Sequence, residues 1–127
     1  MRGSKQDLPA AVELPDGSTL RQVDWGGMTA ELSSFNGSAD PAPFFKGLPD
    51  DRCQCPHWGY VIKGQLRFRF ADGEEVFNAG DAYHVGPGHL PVIGDDTEYI
   101  EFSPADLLQQ TMEVVGRNHE AMLAGSR

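Results

Sequence analysis

Cysteine is scarce in this chain: two residues among 127, both in one tripeptide, Cys53-Gln54-Cys55. There is no material for the disulfide framework that staples small secreted domains. Positive charge is scarce too, with 10 Lys and Arg against 19 Asp and Glu, a net charge of −9. A surface this acidic is repelled by phosphate backbones and anionic lipid, which argues against nucleic acid or a membrane surface as partner. No apolar run approaches the ~20 residues of a spanning helix. The start of the chain, Met1-Arg2-Gly3-Ser4-Lys5-Gln6-Asp7, lacks the apolar stretch of a signal peptide. Together these absences point to a soluble cytoplasmic protein whose partners are small molecules.

Glycine and proline, by contrast, are plentiful, at 15 and 9 residues. They recur as turn signals: Pro15-Asp16-Gly17, Gly26-Gly27, Asn36-Gly37, Lys63-Gly64, Asp72-Gly73, Pro87-Gly88 and Gly94-Asp95-Asp96. Short strand-like segments between regular turns predict an all-β sandwich or barrel. In Gln65–Phe70, Leu66, Phe68 and Phe70 share one face while Arg67 and Arg69 share the other, a solvated one. Asp72-Gly73 suits a type I′ hairpin turn, and Val23–Ala30 predicts a second hairpin around Gly26-Gly27. Ser103-Pro104-Ala105-Asp106 is a helix start, with Leu107, Leu108, Thr111, Met112 and Val115 at helical spacing after it. Gly116 ends or interrupts that helix, and the tail to Arg127 adds at most a frayed turn. No repeat or boundary divides the chain, so one domain is expected over 1–127, with a core over about 20–103 and a helix over about 104–116.

The chemistry concentrates in Cys53-Gln54-Cys55-Pro56-His57. In an extended segment, alternate residues share a face, which would gather two thiols and an imidazole. Pro56 favours extended geometry at Cys55. A disulfide within Cys-x-Cys would be strained, so a metal or a reactive thiol is the better expectation. Two sulfur ligands and an imidazole suit zinc. A further ligand is offered by His89, in the rigid loop Gly86-Pro87-Gly88-His89-Leu90-Pro91, or by the strand residue His84. His119 reads as an exposed helix residue.

The run from Cys53 through Tyr60-Val61-Ile62-Lys63-Gly64 resembles the first motif of the cupin superfamily. Gly80-Asp81-Ala82-Tyr83-His84-Val85-Gly86-Pro87-Gly88-His89 resembles the second. The resemblance implies a double-stranded β-helix, or jelly-roll, barrel with one metal in its mouth, and a homodimer. Three departures accompany it. Counting back from Gly64, His57 stands where the first motif has Glu. Cys53 and Cys55 replace its His-x-His pair. In the second motif Pro91 stands at the usual His position, so His89 must serve from a shifted place.

Thiolates shift the expected ion from iron or manganese to zinc. With Cys53, Cys55, His57 and His89 all bound, the site is a closed structural tetrahedron; with His89 off the metal it is open and His89 becomes the general base. Tyr60, Tyr83 and Tyr99 are candidate barrel-lining acids, with aromatic packing as the alternative. Glu101 alternates away from Ile100 and Phe102; a surface position is the first expectation for it, an interior acid the second. Trp58, opposite in strand parity to His57, suits packing or a dimer seam. Three functions fit: a zinc enzyme performing a non-redox Lewis-acid step (isomerisation, cyclisation, elimination or bond formation) in biosynthesis, a zinc-stabilised ligand-binding or sensing module, or an iron oxygenase.

Overall fold

A computed structural model describes residues 1–37 and 40–125. Nine strands and a long helix follow one another: β1 Ala10–Glu13, β2 Thr19–Trp25, β3 Met28–Phe35, β4 His57–Lys63, β5 Gln65–Phe70, β6 Gly73–Asn78, β7 Ala82–Val85, β8 Leu90–Ile93, β9 Thr97–Pro104 and, after one-turn helix α1 Ala42–Phe45 in the β3–β4 connection, α2 Ala105–Gly125. A six-stranded sheet runs β1-β2-β3-β9-β4-β7 and a three-stranded one β6-β5-β8, with every pairing antiparallel. Val61, Leu66, Phe68, Tyr83, Val85 and Tyr99, drawn from both sheets, form the main core between them. This is the expected jelly-roll architecture.

The Gly26-Gly27 hairpin forms as expected. Both glycines have positive φ, +59° and +85°, and the strands pair from Thr19↔Ser34 to Trp25↔Met28. The second hairpin turns one residue earlier than its Asp-Gly suggests. Phe70 pairs with Gly73, which leaves Ala71 and Asp72 as the turn, and neither has positive φ. Arg67 and Arg69 lie on the exposed face and reach Glu74 at 3.6 and 3.5 Å.

Helix α2 runs through Gly116 to Gly125, nine residues beyond the expected end near 116. Glycine weakens a helix by about 1 kcal/mol, and tertiary contact offsets that here. Leu108, Thr111 and Val115 are buried, and past the glycine Asn118 Nδ2 donates to the carbonyls of Phe44 (2.8 Å) and Lys46 (2.9 Å). The tail position Arg127 lies outside the described residues. No helix among the described residues is long and apolar enough to cross a membrane.

The strands next to the site reverse the usual apolar-in, polar-out pattern. Along β3, Thr29, Glu31 and Ser33 are buried; along β9, Thr97, Tyr99, Glu101 and Ser103 are. The outward positions of β4 and β9 carry Trp58, Tyr60, Ile62 and Phe102, all exposed. A polar interior and an apolar exterior are therefore two sides of one sheet.

Candidate metal centre

Cys53 does not belong to a continuous strand. It makes an isolated bridge to His89: its N–H donates to the His89 carbonyl (2.8 Å), and its own carbonyl accepts from the N–H groups of Gly88 (2.8 Å) and His89 (3.2 Å). Gly88, at φ +91°, makes the tight turn that brings the loop back to this bridge. His57 opens β4 with its side chain inward. The result is a buried group in which one donor atom each from Cys53, His57 and His89 lies within 4.8 Å of the others.

The hydrogen bonds orient these side chains. His57 Nδ1 sits 2.6 Å from Ser103 Oγ and 3.5 Å from Glu101 Oε2, while its Nε2 is 3.5 Å from Cys53 Sγ. His89 Nδ1 donates to the Gly86 carbonyl at 2.6 Å. That leaves His89 Nε2 with a lone pair, fully buried and, among the described residues, without a hydrogen-bond partner. An orphaned acceptor of this kind costs free energy unless something binds it. Burial drives both imidazoles down to about 4 and the Cys53 thiol up to about 11. Two neutral imidazoles are already in the ligating form, and a cation would draw the proton off the thiol. The residues therefore fit a metal ion.

Cys55 is placed differently from the expectation that both thiols share one face. Residues 54–56 are not in a strand, so strict alternation does not extend from His57 back to Cys53. The Cys55 thiol faces the carbonyls of Pro56 (3.3 Å) and Pro104 (4.0 Å), outside the convergent group. Burial pushes it up to about 12. Cys53 and Cys55 pack against Leu108 of α2, whose Thr111 Oγ1 is 3.5 Å from Cys53 Sγ.

Tyr60 is also placed differently from its expected role. By the parity that buries His57 and Val61, Tyr60 points outward and is 45% exposed. Tyr83 and Tyr99 do line the interior. The Tyr83 hydroxyl donates to Glu101 Oε1 at 2.6 Å, and burial, with the Glu31 carboxyl nearby, holds the Tyr99 phenol well above its ordinary range. His84 stacks on Trp58 on the outer face, ring centroids 4.8 Å apart, and His119 reaches the Glu13 carbonyl.

Glu101 is interior, 5% exposed, and opposite it across the β3–β9 ladder stands Glu31, 4% exposed. Sequence reasoning did not single out Glu31. Its only trace there is the alternation Thr29-x-Glu31-x-Ser33, which ordinarily marks a solvent face. Glu31 accepts from Gln22 Nε2 (2.9 Å) and Ser33 Oγ (3.0 Å). Burial raises both carboxyls to about 7, and for Glu31 the neighbouring Glu101 adds to the rise. Both acids, with Cys53, His57 and His89, line a cavity of about 60 Å³. An apolar pocket of about 110 Å³ adjoins it, sharing the walls Leu20, Phe45, Pro91, Ile93 and Tyr99.

No protein-family profile and no curated protein sequence matches the chain. Solved structures do resemble it. An RmlC-like cupin from Shewanella frigidimarina superposes with a TM-score of 0.53 at 16% identity, over 80% of this chain and 88% of that one. KdgF from Halomonas sp. does so at 0.50 and 16%, over 81% and 94%. Apo-HppE does so at 0.53 and 10%, over 81% of this chain and 57% of that one. The architecture is that of a cupin. Within that fold, this chain carries a buried Cys/His/His group suited to a metal.

Proposed function

We propose that the protein is a zinc-dependent cupin enzyme that carries out a non-redox step on a small polar molecule. The observation that carries this reading is the unpartnered His89 Nε2, converging with His57 and the Cys53 thiol on one point inside the barrel. Three protein donors leave a coordination position open, the pattern of catalytic rather than structural zinc. The sulfur ligand favours zinc over the harder ions. Bound there, zinc would supply a Lewis acid toward a carbonyl or water oxygen or an amine nitrogen. The chain supplies the proton chemistry. Glu101, held by the Tyr83 hydroxyl and raised to about 7, can take or give a proton at neutral pH. His57 Nδ1, beside Ser103 and Glu101, keeps the imidazole oriented.

Two further assignments accompany this reading. The exposed Trp58, Tyr60, Ile62 and Phe102 support a homodimer through the outer face of the large sheet. The two free thiols and the net charge of −9 support a reducing cytoplasmic setting without nucleic-acid or membrane partners. Metal analysis of untagged protein tests the central claim. One zinc per chain, removable by chelation with a fall in melting temperature, is the expected result. Iron as the main metal, with activity following it, would overturn the proposal in favour of an oxygenase.

A further inference from the structure

The polar groups aimed into the cavity are acceptors with their matching donors already used. Gln22 and Ser33 donate to Glu31, and Tyr83 donates to Glu101. His89 Nδ1–H is spent on the Gly86 carbonyl, which leaves only its bare Nε2 lone pair facing inward. Glu101 Oε2 lies 3.5 Å from His57 Nδ1. Among the described residues, neither the cavity nor the adjoining pocket is lined by a lysine or arginine. A divalent ion bound by the Cys53 thiolate leaves one positive charge against two carboxylates, so an anion entering this space still meets a net negative site that no lysine or arginine offsets. A hydrogen-bond donor or a cation would instead find acceptors waiting. Beyond the acids, the pocket walls are aliphatic and aromatic, among them Phe35, Phe44 and Val115.

We infer that the substrate is a small primary amine, its ammonium recognised by Glu31 and Glu101 and its short apolar chain lodged in the adjoining pocket. This deepens the proposed function and rests on it, since the ion would occupy Cys53, His57 and His89 and leave the carboxyls to the organic ligand. The overall charge of −9 adds a field that draws cations inward.

Calorimetric titration of the zinc-loaded and chelator-treated full-length protein with n-butylamine, n-butanol and n-butyrate tests the inference, because the probes share a chain and differ in headgroup. In the chelator-treated protein, where no ion can ligate a carboxylate, the amine is expected to bind, with butyrate weaker by roughly tenfold to a hundredfold. Glu31→Gln should weaken the amine by a similar factor and leave butanol unchanged. The wild-type headgroup ranking stands even if the variant misfolds. Butyrate binding as well as butylamine, or no amine binding at millimolar concentration, would overturn the inference. Zinc titration of the same samples separates the two readings. Zinc binding without amine preference removes the substrate class alone, and absence of zinc binding removes the metal centre.

Discussion

Cys53 and His89, 36 positions apart, are locked together by their backbones, through the Cys53 N–H to His89 carbonyl bond of 2.8 Å and its reciprocal at 3.2 Å. The bridge sets both side chains before any ion arrives, and the entropy of ordering them is met by folding rather than by metal binding. Removing either donor should abolish the site. Cys53→Ser and His89→Ala are expected to lose most of the bound zinc and the thermal stabilisation it brings. Cys55→Ser, whose thiol faces the Pro56 and Pro104 carbonyls, is expected to keep both. Elemental analysis with melting curves on the three variants checks this. Equal zinc loss in Cys55→Ser would establish a fourth ligand and a closed site.

Gly59 controls the placement of the interior acid. A Cβ there would lie 2.5 Å from Tyr83 Cζ and 2.6 Å from the Ile100 carbonyl, and the backbone cannot yield. Gly59→Ala should therefore push the tyrosine off the hydroxyl contact that orients Glu101, costing roughly 1–3 kcal/mol of stability. A chemical denaturation midpoint identical to wild type would refute this.

Much of the fold was legible because its signals are local. Gly26-Gly27 specifies its turn by positive φ, and Leu66 and Phe68 alternate cleanly against Arg67 and Arg69. The ligand group was legible in part, as residue types and the glycine-rich loop before His89. What was not legible follows from two physical causes. The strand parity that placed Trp58 outside was not carried two residues on to Tyr60, while the same parity was extended to Cys55, where the chain is irregular. Glu31 was hidden because an interior polar stripe on β3 is indistinguishable from a solvent face until its partner β9 is known. The extent of α2 likewise depends on Asn118 meeting the Phe44 and Lys46 carbonyls, a contact between segments some 70 residues apart.

The same reversal predicts an interface. Trp58 pairs across the sheet with Phe102 on one side and His84 on the other, so the aromatic patch is contiguous over β7, β4 and β9. Trp58→Glu should place a charge at its centre and convert a dimer to a monomer with the zinc content unchanged. Light scattering after size exclusion measures the mass directly. A wild-type monomer, or a variant that remains dimeric, would dismiss this face as the seam.

Glu31 provides a test in pH. Its folded-state value of about 7 lies above the ordinary 4.5, so the fold favours the protonated carboxyl. The stability this contributes is complete below about 4.5 and is lost as pH rises through 7. His57 and His89 have the opposite sense: lowered from 6.5 to about 4, they lose stability as pH falls across that interval. His89 is common to wild type and Glu31→Gln and cancels when the two are compared, while His57, which Glu31 raises, drops further in the variant but is neutral in both folded proteins above about 4.5. Glutamine never ionises, so the melting temperature of metal-free Glu31→Gln, relative to metal-free wild type, should climb steadily from pH 4.5 to 7.5. A difference that stays level or shrinks over that range would mean that Glu31 is already ionised in the folded protein at low pH, held by a partner other than Gln22, Ser33 and Tyr99.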